Sequence, residues 1–299
     1  MRIHFATLVA AGTVLSLACS DLTDVRAPGV VQPPALNNPT GAEALRAGVL
    51  GLFTGAFAGS GAAGSLFGQV LSSGAMADEL FSATTSADTR EIDSRTVREP
   101  TATTFYPYQD LQRAHVNALL AIAALQQYAP TPRSNIGQMF AILGFTRVLL
   151  AENQCSGVPI SPVVDGQPGF GEPLTTNELF AGAVFDFDSA LVYAADSARI
   201  LNLARVGRAR ALLGHGRFAD AANAATAVPT DYVYVTEQSG TVQRNIVFER
   251  LNTNRSFTVA DREGQNGLDF RMANDPRVPT RLVGPGNDGT NVFTFTLYS

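Results

Sequence analysis

The chain has 299 residues, a formal net charge of −5 and no Trp. Its 21 basic residues are all Arg, which excludes a Lys Schiff base or a P-loop lysine, and a pI of about 5.2 excludes the clustered basic footprint of a nucleic-acid binder. The two histidines beyond the N-terminal segment, His115 and His215, have no Cys or His at ligand spacing, so neither a metal site nor a cofactor is expected.

The start reads "MRIHFATLVAAGTVLSLAC". One basic residue, an apolar run and small residues form the layout of a secretory signal, here residues 1–18. The run is shorter than the roughly 20 residues that span a bilayer. Cys19 stands at the processing point, the place of an acylated lipid-anchor cysteine. A disulfide with Cys155 or a buried thiol are the competing readings. Residues 19–40 are rich in Pro, Asn and Asp and read as a flexible tether, with Asp21 and Asp24 near its start.

Residues 41–299 read as one mainly α domain. "GAEALRAGVLGLFTGAFAG" (41–59) is an Ala/Leu helix, and 65–83 gives a second helical stretch. Residues 84–104 are polar and read as a loop. Within 108–129, Leu111, Ala114, Ala118, Ile122 and Leu125 make one stripe at helical spacing. The segment 134–153 is apolar nearly all round, which predicts a buried central helix, while Gln138 and Arg147 argue against a membrane span. After a Pro/Gly loop (157–173), Thr175 and Glu178 form a capping-box pair. They open a helix with the stripe Phe180, Val184, Phe187, Leu191 and Ala194.

"NLARVGRARALLGHGRFADAANAATAVP" (202–229) reads as a tetratricopeptide-like helical hairpin. Leu203, Val206, Ala209 and Leu213 line its first helix; Phe218, Ala221, Ala225 and Val228 line its second. Such a hairpin cannot bury its face alone, so neighbouring hairpins are expected. Beyond residue 230, "DYVYV" (231–235), "NIVFER" (245–250) and "VFTFTLYS" (292–299) have strand character, the last with Phe293, Phe295 and Leu297 on one side. The chain stops on that strand, and a missing C-terminal part is expected.

Several motifs resolve into structure more readily than into chemistry. "GSGAAG" (59–64), with Glu79 beyond it, spells a dinucleotide fingerprint but lacks the strand that must precede it. Asp186 and Asp188 stand two apart on a helix and point to different sides. His115 lies on an apolar helix side and reads as a core residue, and His215 sits in a turn with no nucleophile elbow nearby. Arg199, Arg205, Arg208, Arg210 and Arg217 read as a solvated face or intramolecular pairs. No catalytic residue emerges. The ligand-binding candidates are aromatic residues in loop-like settings: Tyr106 and Tyr108 beside Phe105, and Tyr232 with Tyr234. Packing at element ends is the competing reading for all of them.

The serial order resembles the SusD/RagB-type family of outer-membrane nutrient-binding lipoproteins. The resemblance is carried by Cys19 and its tether, "ALRAGVLGLFTGAF", "QDLQRAHVNALLAI" with Asn117, "AILGFTRVLLAENQCSGVPIS", "TTNELFAGAVFDFDSAL" and "ARALLGHGRFADAANAA". It implies a body of tetratricopeptide-like hairpins with irregular loops and a few short strands toward the C-terminus. It further implies a surface-facing protein of the cell outer membrane, held by lipid alone. Such a protein binds a glycan or other nutrient and delivers it to a TonB-dependent, SusC-like transporter, without enzymatic activity. Members are longer, and aromatic platforms often hold their ligands, whereas this chain has no Trp. A tetratricopeptide-type envelope scaffold that binds peptides and a secreted helical hydrolase are the alternatives.

Overall fold

A computed structural model describes residues 36–60, 67–96, 98, 102–263 and 267–296. The expected signal (1–18), Cys19 with residues 20–35 of the expected tether, Gly61 to Gly64 and Leu297 lie outside the described residues. The fold is mainly α with a few short strands.

Helix α1 (Pro39–Ala58) starts where Asn38 accepts a hydrogen bond from the Gly41 amide at 2.9 Å and ends at Gly59, whose φ of 82° suits glycine. Helix α2 (Gln69–Met76) is followed by strand β1 (Leu80–Ser82) and helix α3 (Ala87–Asp93). The expected second helix therefore stops early. Asp78 takes a positive φ of 57°, which breaks the helix, and Leu80, Phe81 and Ser82 pair with Val259, Thr258 and Phe257. The expected loop 84–104 contains α3, because Ile92 is wholly buried and anchors one turn there.

Helix α4 (Ala102–Tyr128) carries the expected stripe: Leu111, Ala114, Ala118 and Leu125 are fully buried and Ile122 nearly so. Helix α5 (Arg133–Asn153) is long and apolar enough to cross a membrane, but its residues are mostly buried among α1, α4, α6 and α7, so it is the central core helix. Two minimal ladders follow, β2 (Val158–Pro159) with β5 (Pro173–Leu174) and β3 (Val163–Val164) with β4 (Gln167–Pro168). Helix α6 (Thr176–Tyr193) opens with the reciprocal capping box of Thr175 and Glu178. A 3-10 turn, Ala194–Asp196, leads to α7 (Ala198–Gly214) and α8 (Phe218–Ala225).

The α7–α8 hairpin forms, but its buried line is rotated from the expected one. Ile200, Leu203, Ala204, Ala211 and Leu212 are buried, whereas Val206, Leu213 and Phe218 are exposed at 39%, 55% and 68%. The cause is Phe187 on α6. Its ring packs against the bare backbone of Gly207 on α7 and of Gly144 on α5. A Cβ on Gly144 would stand 2.8 Å from that ring. The close approach fixes α7 by its glycine, not by its valine. Burying the Phe187 side chain stabilises the junction by roughly 1.5–3 kcal/mol.

Beyond α8 two expected strands are absent. Residues 231–235 run without a ladder, and Tyr232 and Tyr234 pack back onto the helical core. Asn245 caps the Phe248 amide at 2.9 Å, so 245–250 begins a helical turn, α9 (Ile246–Phe248), which widens into a π turn at Glu249–Thr253. The strands that do form are β6 (Phe257–Val259), β7 (Thr280–Pro285) and β8 (Asn291–Phe295). On β8 the fully buried side is Val292 and Thr294, while Phe293 and Phe295 are half-buried. Leu71, Leu80, Ile92, Ile246, Leu251 and Phe257 form a second, smaller core beside the helical one.

Candidate functional site

The four candidate tyrosines do not converge. Phe105, Tyr106 and Tyr108 stand in the first turns of α4, not in a loop, because the helix runs through Pro107. Phe105 is half exposed and meets Tyr106 edge to face at 5.4 Å. Pro107 O accepts from Gln69 Nε2, and Gln69 Oε1 accepts from Asn153 Nδ2, both at 2.8 Å, which places this group at the C-terminal end of α5. Tyr234 Oη instead accepts from Gln138 Nε2 at 2.8 Å, near the N-terminal end of α5, about 22 Å away along its axis. Arg199 stacks over the Tyr234 ring at 4.4 Å, and Tyr232 Oη donates to Arg199 O at 2.8 Å. Tyr232 and Tyr234 thus tie their segment to α5 and α7.

The other titratable groups singled out in the sequence have internal partners. His115 is buried, and its Nδ1 lies 3.0 Å from Thr146 Oγ1. Thr146 spends its own hydroxyl proton on Leu143 O at 2.7 Å, so His115 Nδ1 must be the donor. Burial, then the Arg147 charge, lower the imidazole to about 3. His115 is a neutral core residue. Asp186 pairs with Arg147 at 2.8 Å and Asp188 with Arg208 at 2.6 Å, on separate sides of α6. Arg210 grips Glu152 and Arg217 pairs with Asp220, so the arginine cluster is largely neutralised within the fold.

The groups that do converge lie at the smaller core. A cleft of about 230 Å³ opens between β1, β6 and the start of β8. Phe81, Thr258 and Val259 form its strand wall; Asp261, Glu263 and Arg271 supply charge; Thr290 and Asn291 close one side. The strand wall exists because β1 pairs with β6, and because the Phe293 amide donates to Thr258 Oγ1 at 2.8 Å.

Asp261 is fully engaged. One oxygen accepts from the Met272 amide and the other pairs with Arg271, each at 3.1 Å. Burial pushes its carboxyl up, but those bonds and the Arg271 charge outweigh it and hold the group below the usual carboxylate range. Arg271 also lies 4.2 Å over the Phe293 ring, which fixes the plane of the guanidinium. Glu263 behaves in the opposite way. Burial, then the neighbouring Asp93 and Asp78, push it up to about 7, against the opposing charge of Arg95. Behind it Asp93 is pushed up to about 6, by burial first and by Asp78 next, against a hydrogen bond from the Ser82 amide. Arg95 is bound to Asp78.

Among the described residues four polar atoms here are covered and have no partner: Ser82 Oγ, Asp93 Oδ1, Glu263 Oε2 and Arg271 Nε. Among the described residues no group of His, Cys, Asp and Glu is arranged to hold a metal ion. The set offers an acceptor, a donor and small polar groups beside an aromatic edge, which suits a ligand rich in hydroxyls. None of these residues stood out in the sequence. The only trace was the density of charge in "ADREG" (260–264) within an otherwise Gly- and Asn-rich stretch.

No family model and no curated protein match the sequence. Solved structures do match. A SusD-like carbohydrate binding protein from Bacteroides vulgatus superposes with a TM-score of 0.52 at 14% identity, over 72% of this chain and 54% of that one. The fold is SusD-like. A SusD/RagB family protein from Bacteroides thetaiotaomicron gives 0.54 at 13% identity, over 85% of this chain and 61% of that one. The chain thus spans less than two thirds of either SusD-like structure. At this identity the likeness establishes the fold, with its tetratricopeptide-like helices, and nothing further about ligands.

Proposed function

We propose that this protein is a non-enzymatic, glycan-binding lipoprotein that captures a nutrient in the cleft of Phe81, Glu263, Arg271 and Asn291 and passes it to a TonB-dependent transporter. The observation that carries the reading is the lining of the cleft, where Glu263, Arg271 and Asn291 stand beside Phe81 and offer an acceptor, a cation and an amide to the hydroxyls of a sugar. The SusD-like fold supports it, since one matching structure is described as a carbohydrate binding protein. Cys19 would carry the acyl chains, and the tether to residue 40 would hold the body at the outer face of the outer membrane.

Hydrolysis fits the cleft poorly. A glycosidase needs two carboxylates free to act, and both oxygens of Asp261 are already engaged by Met272 and Arg271. The peptide-scaffold alternative draws on one observation, the exposed Val206, Leu213 and Phe218 along the α7–α8 hairpin.

Calorimetry with a panel of neutral oligosaccharides tests the reading. We expect binding to at least one of them, weakened tenfold or more by Arg271→Ala and several-fold by the milder Asn291→Ala, with unchanged circular dichroism. Binding of none, or binding untouched by both variants, overturns it. Metabolic labelling with a radioactive fatty acid tests the anchor: a Cys19→Ala chain should take up no label.

A further inference from the structure

Resting on the glycan reading above, we propose that the cleft receives a protonated amine of its ligand against Glu263, so that its preferred glycan is an amino sugar. The ground is the set of charges that act on Glu263. They are Asp93, Asp78 and Arg95, and the guanidinium of Arg95 already holds Asp78. Among the described residues neither Asp93 nor Glu263 is held in an ion pair.

Both groups carry an oxygen that is covered and unpartnered. Asp93 is only 7% exposed, so water does not compensate it. It acts on Glu263 through space, as does Asp78 from the turn before β1, and Arg95 is the one cation that opposes them. On the cleft side Arg271 is spent on Asp261. Glu263 is therefore the point where an excess of negative charge reaches the cleft wall.

In the free protein burial first, then Asp93 and Asp78, pushes Glu263 up to about 7, and burial first, then Asp78, pushes Asp93 up to about 6, so both hold protons more readily than ordinary carboxyls. An ammonium at Glu263 replaces the proton, so binding must release protons near neutral pH. A uronic acid, by contrast, would meet like charge at Glu263 and its neighbours Asp93 and Asp78. Divalent cations are poorer candidates, since the described carboxylates do not converge on one point.

The test is calorimetry on the full chain with a β-linked glucosamine tetramer, its fully N-acetylated counterpart and the matching glucose tetramer. At pH 7.5 the free-amine tetramer should bind about tenfold tighter than either neutral one, the worth of one charge-assisted hydrogen bond. Its heat should depend on the ionisation enthalpy of the buffer, which reports proton release, and affinity should fall as pH drops from 7.5 to 5.5. Glu263→Gln should reduce the preference to twofold or less, read as the ratio of charged-tetramer to neutral-tetramer affinity measured on that same variant. Asp93→Asn, nearly isosteric, should do the same in part and serves if Glu263→Gln does not fold. Equal binding of all three tetramers, with no proton release, sinks the amine and leaves the glycan reading standing. Binding of none of them, with capture of a lysine-rich peptide instead, sinks the amino sugar and the glycan reading together.

Discussion

The Phe187 ring lies directly on the backbone of Gly207, in the space where any larger residue would place its Cβ. On helix propensity alone Gly207→Ala should gain up to about 1 kcal/mol. Overpacking costs about 1–3 kcal/mol and wins, because the obstacle is a buried ring also wedged against Gly144. We expect Gly207→Ala to lower stability in urea titrations by about 1–2 kcal/mol. An increase in stability would show that α7 shifts freely on α6.

Asp186 sits 4% exposed with Arg147 as its ion-pair partner. Removing one member strands the other, so Asp186→Ala should cost about 3–5 kcal/mol. The double variant Arg147→Met, Asp186→Leu should recover most of that loss, because the apolar pair avoids desolvation of both charges. Chemical denaturation of the three variants checks the pattern.

His115 gives a pH dependence with a definite sign. Its folded-state value is about 3 against 6.5 for the free imidazole. The unfolded chain therefore takes up the proton first, and stability is lost as pH falls from about 6.5 toward 3. Between pH 7 and pH 5 the loss from this residue is about 2 kcal/mol. Asp186, pushed up to about 6 mainly by burial, contributes the opposite slope between its ordinary value and 6. The measurement is thus the difference between wild type and His115→Asn at the two pH values, in which the carboxylate contributions cancel. A pH-independent difference would mean that the imidazole titrates in the fold as it does in the unfolded chain.

Tyr232 and Tyr234 are ligand candidates that the fold uses as fasteners. The double variant Tyr232→Phe, Tyr234→Phe loses the bonds to Arg199 O and Gln138 Nε2. It should lose about 1–3 kcal/mol in stability and leave oligosaccharide affinity within twofold, read by calorimetry. A large fall in affinity would return these residues to the ligand.

The helical body was largely legible because its signals are local. The Leu111–Leu125 stripe, the Thr175–Glu178 box and the burial of 134–153 each depend on residues within a turn or two of one another. The α7–α8 hairpin was legible as an element but not in its facing. Nothing in 202–229 announces that a ring from α6 will claim Gly207. The cleft was not legible at all, since Phe81, Glu263, Arg271 and Asn291 come from four separate stretches. Strand β1 shows why: Leu80 to Ser82 look like the tail of a helix until residues 257–259 are beside them. At Asn245 a side-chain cap turned an apparent strand into a helix, a choice that β-branched composition alone does not reveal.

The ladder from Leu80 to Val259 has a temporal consequence. During translation the early strand leaves the ribosome long before its partner exists. At about 5–20 residues per second, the nascent chain waits roughly ten to thirty-five seconds for that partner. Through that interval Leu80 and Ile92 have no companion Phe257 to cover them. An export route that keeps the polypeptide unfolded until it is fully made would spare this protein that exposure.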